Sequence, residues 1–179
     1  MSINYVDPVA ETLVKPNPYS LSVALDQGTR LALVANAIVD CDKVLEAVGS
    51  AIAARCPGVE TTLYRTGSGT FAPAEKIDQI VNECDAAVCA IGHCGSCTAG
   101  TVKDGVAFIT RGVPAVSLVT EIFWEQANAL AQSLGWPDAP RVMLPYPVWG
   151  TGEDAIAQVA ETVVNAIIDG LERPDAKAA

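Results

Sequence analysis

The sequence predicts a doubly wound α/β domain with a mostly parallel sheet of about five strands, and three observations carry that expectation. From residue 31 onward, short β-rich runs alternate with helical patterns five times. One of these runs, "AAVCAIG", is apolar without alternation, as a central strand covered on both faces must be. Half of the 179 residues are hydrophobic, enough for one sizeable core in a chain of single-domain length.

The first 29 residues, with Pro8, Pro16 and Pro18, read as an extended N-terminal arm, either laid across a neighbouring subunit or mobile. Residues 30–179 make the domain. "LALVANA" (31–37) is its first strand, and Asp40 is placed to cap a helix that runs to about Arg55 and stops at Pro57 and Gly58. "VETTLYR" is the second strand, followed by the loop "TGSGTFAP" and a helix from about Ala74 to Cys84. After "AAVCAIG" comes a helix from about Cys97 to Arg111, with Val102, Val106 and Ile109 on one face. "PAVSLVT" is the fourth strand, and "FWEQANALAQSL" is a helix ending at Gly135. "RVMLPYP" is the last strand. A long helix follows from about Glu153 to Leu171, its Ile156, Val159, Ala160, Val163, Val164, Ile167 and Ile168 recurring at helical spacing. This is a flavodoxin-like or Rossmann-like order, in which sites lie beyond the carboxyl ends of the strands. The loops "NAIVD", "TGSGTFAP", "GHCGSCT", "TEIFW" and "PYPVWGTG" are therefore the candidate walls of a site.

Charge narrows the choice of partner. The net charge is -10 and no run of Lys or Arg occurs, which argues against nucleic acid. The N-terminus lacks the basic and apolar regions of a signal peptide, and no apolar run reaches membrane-spanning length. A cytoplasmic protein is expected, with reduced thiols and no disulfide framework. Cys41 and Cys56, near opposite ends of one predicted helix, are separated by roughly 22 Å of rise and cannot bond to each other.

The chemistry concentrates in "CAIGHCGSCT", which holds Cys89, Cys94, Cys97 and the chain's single histidine, His93. The segment leaves a strand and opens a helix, where backbone N–H groups and the helix dipole favour an anion such as a thiolate. One reading makes Cys94 a nucleophile and Cys97 its resolving partner. A second takes the Cys89-x4-Cys94-x2-Cys97 spacing as an iron–sulfur loop or zinc site. That one lacks a downstream fourth cysteine and needs Cys89 out of its strand. The third treats the cysteines as small core residues, which suits Cys41, Cys56, Cys84 and Cys89 but not a polar, glycine-containing turn.

Around the turn, Gly95 and Ser96 leave room for a substrate or a partner thiol, and Thr98 closes the set. His93 serves as a base or as a cation beside the thiolate, or else faces away from it. Glu121 sits at the site-forming end of the fourth strand, and Tyr146 and Trp149 reach the same rim, as do Phe123 and Trp124. Asp85 lies at the opposite end of the sheet, where it caps or is solvated, and Lys103 with Asp104 reads as an exposed charge pair. "TGSGT" has neither the Walker spacing nor the dinucleotide fingerprint, and nothing in the sequence requires a metal or a cofactor.

The run from "CDAAVCAIGHCGSCTAGTVKDGVAF" to "RVMLPYP" resembles the UGSC family, named for a motif in which selenocysteine can replace the first cysteine of Cys-Gly-Ser-Cys. The resemblance implies that Cys94 carries a nucleophilic or redox-active atom. "RGVPAVSLVTEIF" is also distantly similar to the selenoprotein B component of glycine and sarcosine reductases, where a selenol attacks a small activated substrate. His93 departs from the acidic residue common before this cysteine in the family. The expected function is a thiol-dependent enzyme, in which Cys94 attacks a small electrophile or an oxidised sulfur and Cys97 assists. Its expected partners are a small-molecule substrate and a thiol reductant, in a homo-oligomer or beside a related subunit. The alternatives are a racemase-like or isomerase-like cysteine enzyme, whose cysteines would lie in separate halves of the chain, and a redox-sensing or partner subunit of a larger enzyme.

Overall fold

The computed structural model describes residues 14–67 and 71–172. Five strands and five α-helices alternate in the predicted order: β1 (Arg30–Ala35), α1 (Cys41–Arg55), β2 (Glu60–Arg65), α2 (Ala74–Glu83), β3 (Ala86–Gly92), α3 (Gly95–Ile109), β4 (Ala115–Thr120), α4 (Trp124–Ser133), β5 (Arg141–Leu144) and α5 (Glu153–Glu172). A short 3-10 turn, Glu121–Phe123, precedes α4. All strand pairs are parallel, and the sheet order is β2-β1-β3-β4-β5. That order matches the apolar content of the strands. β3 and β4, whose sequences lack alternation, are buried throughout and lie inside the sheet, whereas β2 and β5 keep exposed residues and form its edges.

Successive strand residues point to opposite faces and meet different helices. Leu31, Leu33, Val88, Val116 and Leu118 pack with Val44, Leu45, Val48 and Ile52 of α1 and with Val163, Val164 and Ile167 of α5. Ala32, Val34, Ala87, Cys89 and Ala115 face Ile77 and Ile80 of α2 and Phe108 and Ile109 of α3. Small residues on this second face let α3 approach closely. A Cβ added to Gly105 would collide with Ser117 Oγ on β4. Gly105→Val should therefore cost about 1–3 kcal/mol through overpacking. The urea midpoint measures this, and an unchanged midpoint would mean that α3 lifts off without penalty.

Residues 14–29 contain no helix or strand, as an extended arm requires, but they pack on their own domain. Asn17 donates from its N–H and its Nδ2 to Gly135 O, Tyr19 and Leu25 are buried, and Val23 N–H donates to Leu171 O. Over this stretch the arm lies against its own domain; residues 1–13 lie outside the described residues.

Five boundaries or contacts differ from the sequence-based expectation. Asp40 stands at the cap position of α1 with φ 60° but makes no side-chain cap bond; its Oδ2 accepts instead from Gly150 N–H at 2.9 Å. α3 begins at Gly95 instead of Cys97. β1 ends at Ala35 and β5 at Leu144, before the positions their apolar runs suggested. Asp85 neither caps a helix nor stands free in solvent, because it accepts from the Arg30 backbone and guanidinium.

Candidate active site

The chain turns from β1 into α1 on one face of the sheet and from β3 into α3 on the other, so the loops diverge between these neighbouring strands. Crevices at such a switch point are where this architecture places its sites. Asn36 fills the floor of the crevice. Its N–H donates to Ala90 O at 3.0 Å, and its Nδ2 donates to Ile91 O at 3.0 Å and to Thr101 Oγ1 at 3.2 Å. The side chain thus ties the end of β1 to the end of β3 and to the second turn of α3. Sequence reasoning had named its loop but not the residue.

The motif turn follows directly. Pairing of β3 with β4 shifts register between Cys89 and Gly92, and Thr120 Oγ1 donates to Gly92 O at 2.8 Å just before the turn. Cys94, in an extended conformation, is the N-cap of α3, and Cys97 N–H donates to its Sγ at 3.2 Å. A sulfur here does what a serine or aspartate oxygen does at most helix starts. Ser96 Oγ lies 3.5 Å from the same sulfur. Cys94 and Cys97 are joined as a disulfide, with Cα atoms 5.2 Å apart. Cys94 and Gly95 are half-buried and Ser96 is exposed, whereas Cys97 and Thr98 are buried. An incoming group therefore reaches Cys94 and not Cys97. Thr98 Oγ1 has no hydrogen-bond partner and lies against the backbone at Gly92.

The other four cysteines are free thiols, and burial pushes each of them up. Cys41 is pushed up to about 12, and Cys89, wholly enclosed beneath α3, rises well above the usual range. Cys89 stays in its strand. Among the described residues, no three His, Cys, Asp or Glu side chains gather as a metal site would require.

His93 turns toward the β5–α5 loop. Its ring lies 4.6 Å from Tyr146 and 4.5 Å from Trp149, between centroids, and Nε2 accepts from Val148 N–H at 3.2 Å. Nδ1 is buried with no partner outside its own residue, and burial lowers the pKa of the ring. The ring packs against the aromatic rim, and neither nitrogen hydrogen-bonds a sulfur. Glu121 is exposed on the rim, where its Oε1 accepts from Tyr146 N–H at 3.3 Å. Gln126 Nε2 donates to Gly95 O at 2.8 Å and pins α4 to the motif turn. Nothing in the apolar periodicity of α4 singled this residue out.

Asp104 is not half of an exposed pair. It is 4 % exposed, accepts from Ala72 N–H at 2.9 Å, and is raised to about 6 by burial. Lys103 alone is exposed, with its Nζ 5.4 Å from the centroid of Phe71. One helical step separates the two residues by about 100°, enough to turn one inward and the other out.

Two open clefts indent the surface. One of about 1120 Å³ runs along the β5 edge between Trp124, Met143 and Ala166, and one of about 530 Å³ sits beside Asn36, Asp40, Lys43 and Arg65. Neither has a motif cysteine in its wall. No helix among the described residues is long and apolar enough to cross a membrane.

Strand order and site together define an α/β protein with a flavodoxin-type parallel sheet and a cysteine pair that caps the helix after its central strand. The chain belongs to the UGSC family, whose model matches residues 4–173. No curated protein matches it. Among solved structures, a diflavin flavoprotein A3 from Nostoc sp. is similar at 14% identity and a TM-score of 0.45, over 80% of this chain and 93% of that one.

Proposed function

We propose that the protein is a thiol-dependent redox enzyme in which Cys94 is the nucleophile and Cys97 the resolving thiol. The observation that carries this reading is the geometry of the pair: an accessible sulfur capped by a helix N–H, with its bonding partner buried behind it. In the reduced protein, the N–H of Cys97 and the N-terminus of α3 favour the Cys94 thiolate. That thiolate attacks a small electrophilic carbon or an oxidised sulfur and expels a leaving group. Cys97 then loses its proton to solvent and attacks Cys94 Sγ, the bond from Cys94 to substrate breaks, and the fragment leaves with the bonding pair, as a thiolate or as a carbanion stabilised by a neighbouring carbonyl, and takes a proton from solvent while the Cys94–Cys97 disulfide remains. Gly95 and Ser96 give access, Thr98 supplies an unsatisfied hydroxyl at the base of the turn, and Glu121 and Tyr146 bound the substrate from the rim. In this reading His93 holds the rim and takes no proton from Cys94.

Limiting iodoacetamide after reduction tests the assignment. Cys94 should be labelled first, at a pH below the roughly 8.5 of free cysteine, with Cys41, Cys84 and Cys89 unlabelled in the folded chain. Peptide mass spectrometry reads the sites. Preferential labelling of any of those three would overturn it.

A further inference from the structure

The loops at the carboxyl edge of the sheet expose large apolar side chains beside the cysteine pair. Val39 is 66 %, Ile122 57 %, Tyr146 42 % and Trp149 39 % exposed. Hydrogen bonds and ring contacts make them one strip. Tyr146 N–H donates to Glu121, the neighbour of Ile122, and Gly150 N–H, next to Trp149, donates to Asp40, the neighbour of Val39. The Tyr146 and Trp149 rings both lie on His93, the residue before Cys94. A contiguous exposed apolar surface of this kind marks an interaction site.

Charge decides what covers it. Against Lys43, which already pairs with Asp40 and Glu153, and Arg65, which already pairs with Asp42, stand the exposed Glu121, Glu125 and Asp154, which enter no ion pair among the described residues. A second copy would bring the same acidic flanks, on a chain of net charge -10, face to face with themselves. The fitting occupant has an apolar patch flanked by basic side chains. The disulfide at the strip's edge supplies the rest of its chemistry, because a pair that ends each turnover oxidised needs two electrons before the next.

We propose that the strip Val39–Trp149–Tyr146–Ile122 docks a dithiol protein with a basic-flanked apolar surface, which reduces the Cys94–Cys97 disulfide. The inference rests on the redox role proposed above for that pair. The partner's thiolate attacks Cys94 Sγ, the bond to Cys97 breaks, and Cys97 leaves as a thiolate that takes a proton. The partner's second thiol loses its proton to solvent and attacks its own half of the mixed disulfide. Cys94 is released as a thiolate and the partner is left oxidised, so two electrons have passed. Attack at Cys94 is the open route, since Cys97 is 2 % exposed.

Two synthetic peptides with the same Cys-x-x-Cys core test the surface on the full oxidised chain, one flanked by leucine and lysine and the other by serine and glutamate. Each rate is normalised to that peptide's reaction with a small disulfide. The lysine–leucine peptide should reduce the pair roughly ten-fold faster at low salt. Its advantage should vanish in Val39→Ser/Ile122→Ser and shrink in Glu125→Lys/Asp154→Lys, while dithiothreitol reduces all variants at the wild-type rate. Equal rates for the two peptides would overturn the docking surface while leaving the cysteine chemistry intact. Failure of dithiothreitol to restore both thiols would instead overturn the redox role itself. Self-association of the wild type that Val39→Ser/Ile122→Ser abolishes would assign the strip to a second copy and reject the proposal.

Discussion

Cys94→Ser should abolish covalent adduct formation, whereas Cys97→Ser should accumulate the adduct. The two outcomes follow from where the sulfurs sit. Cys94 is half-buried at the helix cap, and a serine in its place stays protonated near neutral pH and is a far weaker nucleophile. Cys97 lies behind it, and on the proposed mechanism it is needed only to release what Cys94 has captured. Intact mass after the same dose of a small electrophile or a mixed disulfide compares the variants directly. Wild-type protein treated with mild oxidant should lose two thiols together and regain them with dithiothreitol. If Cys97→Ser loses adduct as completely as Cys94→Ser, the division of roles is wrong.

The second large effect concerns Asp104, whose stability contribution depends on pH. Its pKa in the folded chain, about 6, lies above the ordinary 3.8 because burial opposes the charge, and only Ala72 N–H works against that rise. Below the ordinary value, folded and unfolded chains are both protonated and nothing is lost. As pH climbs through about 6 the unfolded chain ionises freely while the folded one resists, so stability falls. The difference of about two pKa units is worth about 3 kcal/mol in all. Asp104→Asn keeps an oxygen for Ala72 N–H and carries no charge. Relative to wild type, the variant should therefore gain about 2 kcal/mol between about pH 4 and about pH 8. Urea unfolding at both pH values measures the gap. Parallel stability curves would show that the carboxyl is solvated in the folded chain.

Much of this fold was legible because its signals are local. The unalternating apolar run at residues 86–92 reads as a strand covered on both faces, and the spacing from Ile156 to Ile168 reads as one apolar helical stripe. The cysteine turn was legible for the same reason, since strand, glycine-containing turn and helix start are consecutive in the chain. Its first helical residue was not, because a sulfur is not the side chain by which helix caps are ordinarily recognised.

What the sequence by itself determined is the alternation of strands and helices, the central place of β3, and the position of Cys94 and Cys97 at the start of the helix that follows it. Tertiary structure alone decided which groups the rest of the site would meet. His93 is turned by Val148, 55 residues away, and Asn36 bonds across 65 residues to Thr101. Asp104 is buried beneath a loop 32 residues earlier. Periodicity reports how a side chain faces relative to its own helix or strand. It carries no information about which distant loop arrives to cover that face, and at this crevice the arriving loops set the burial, the charge and the hydrogen bonds.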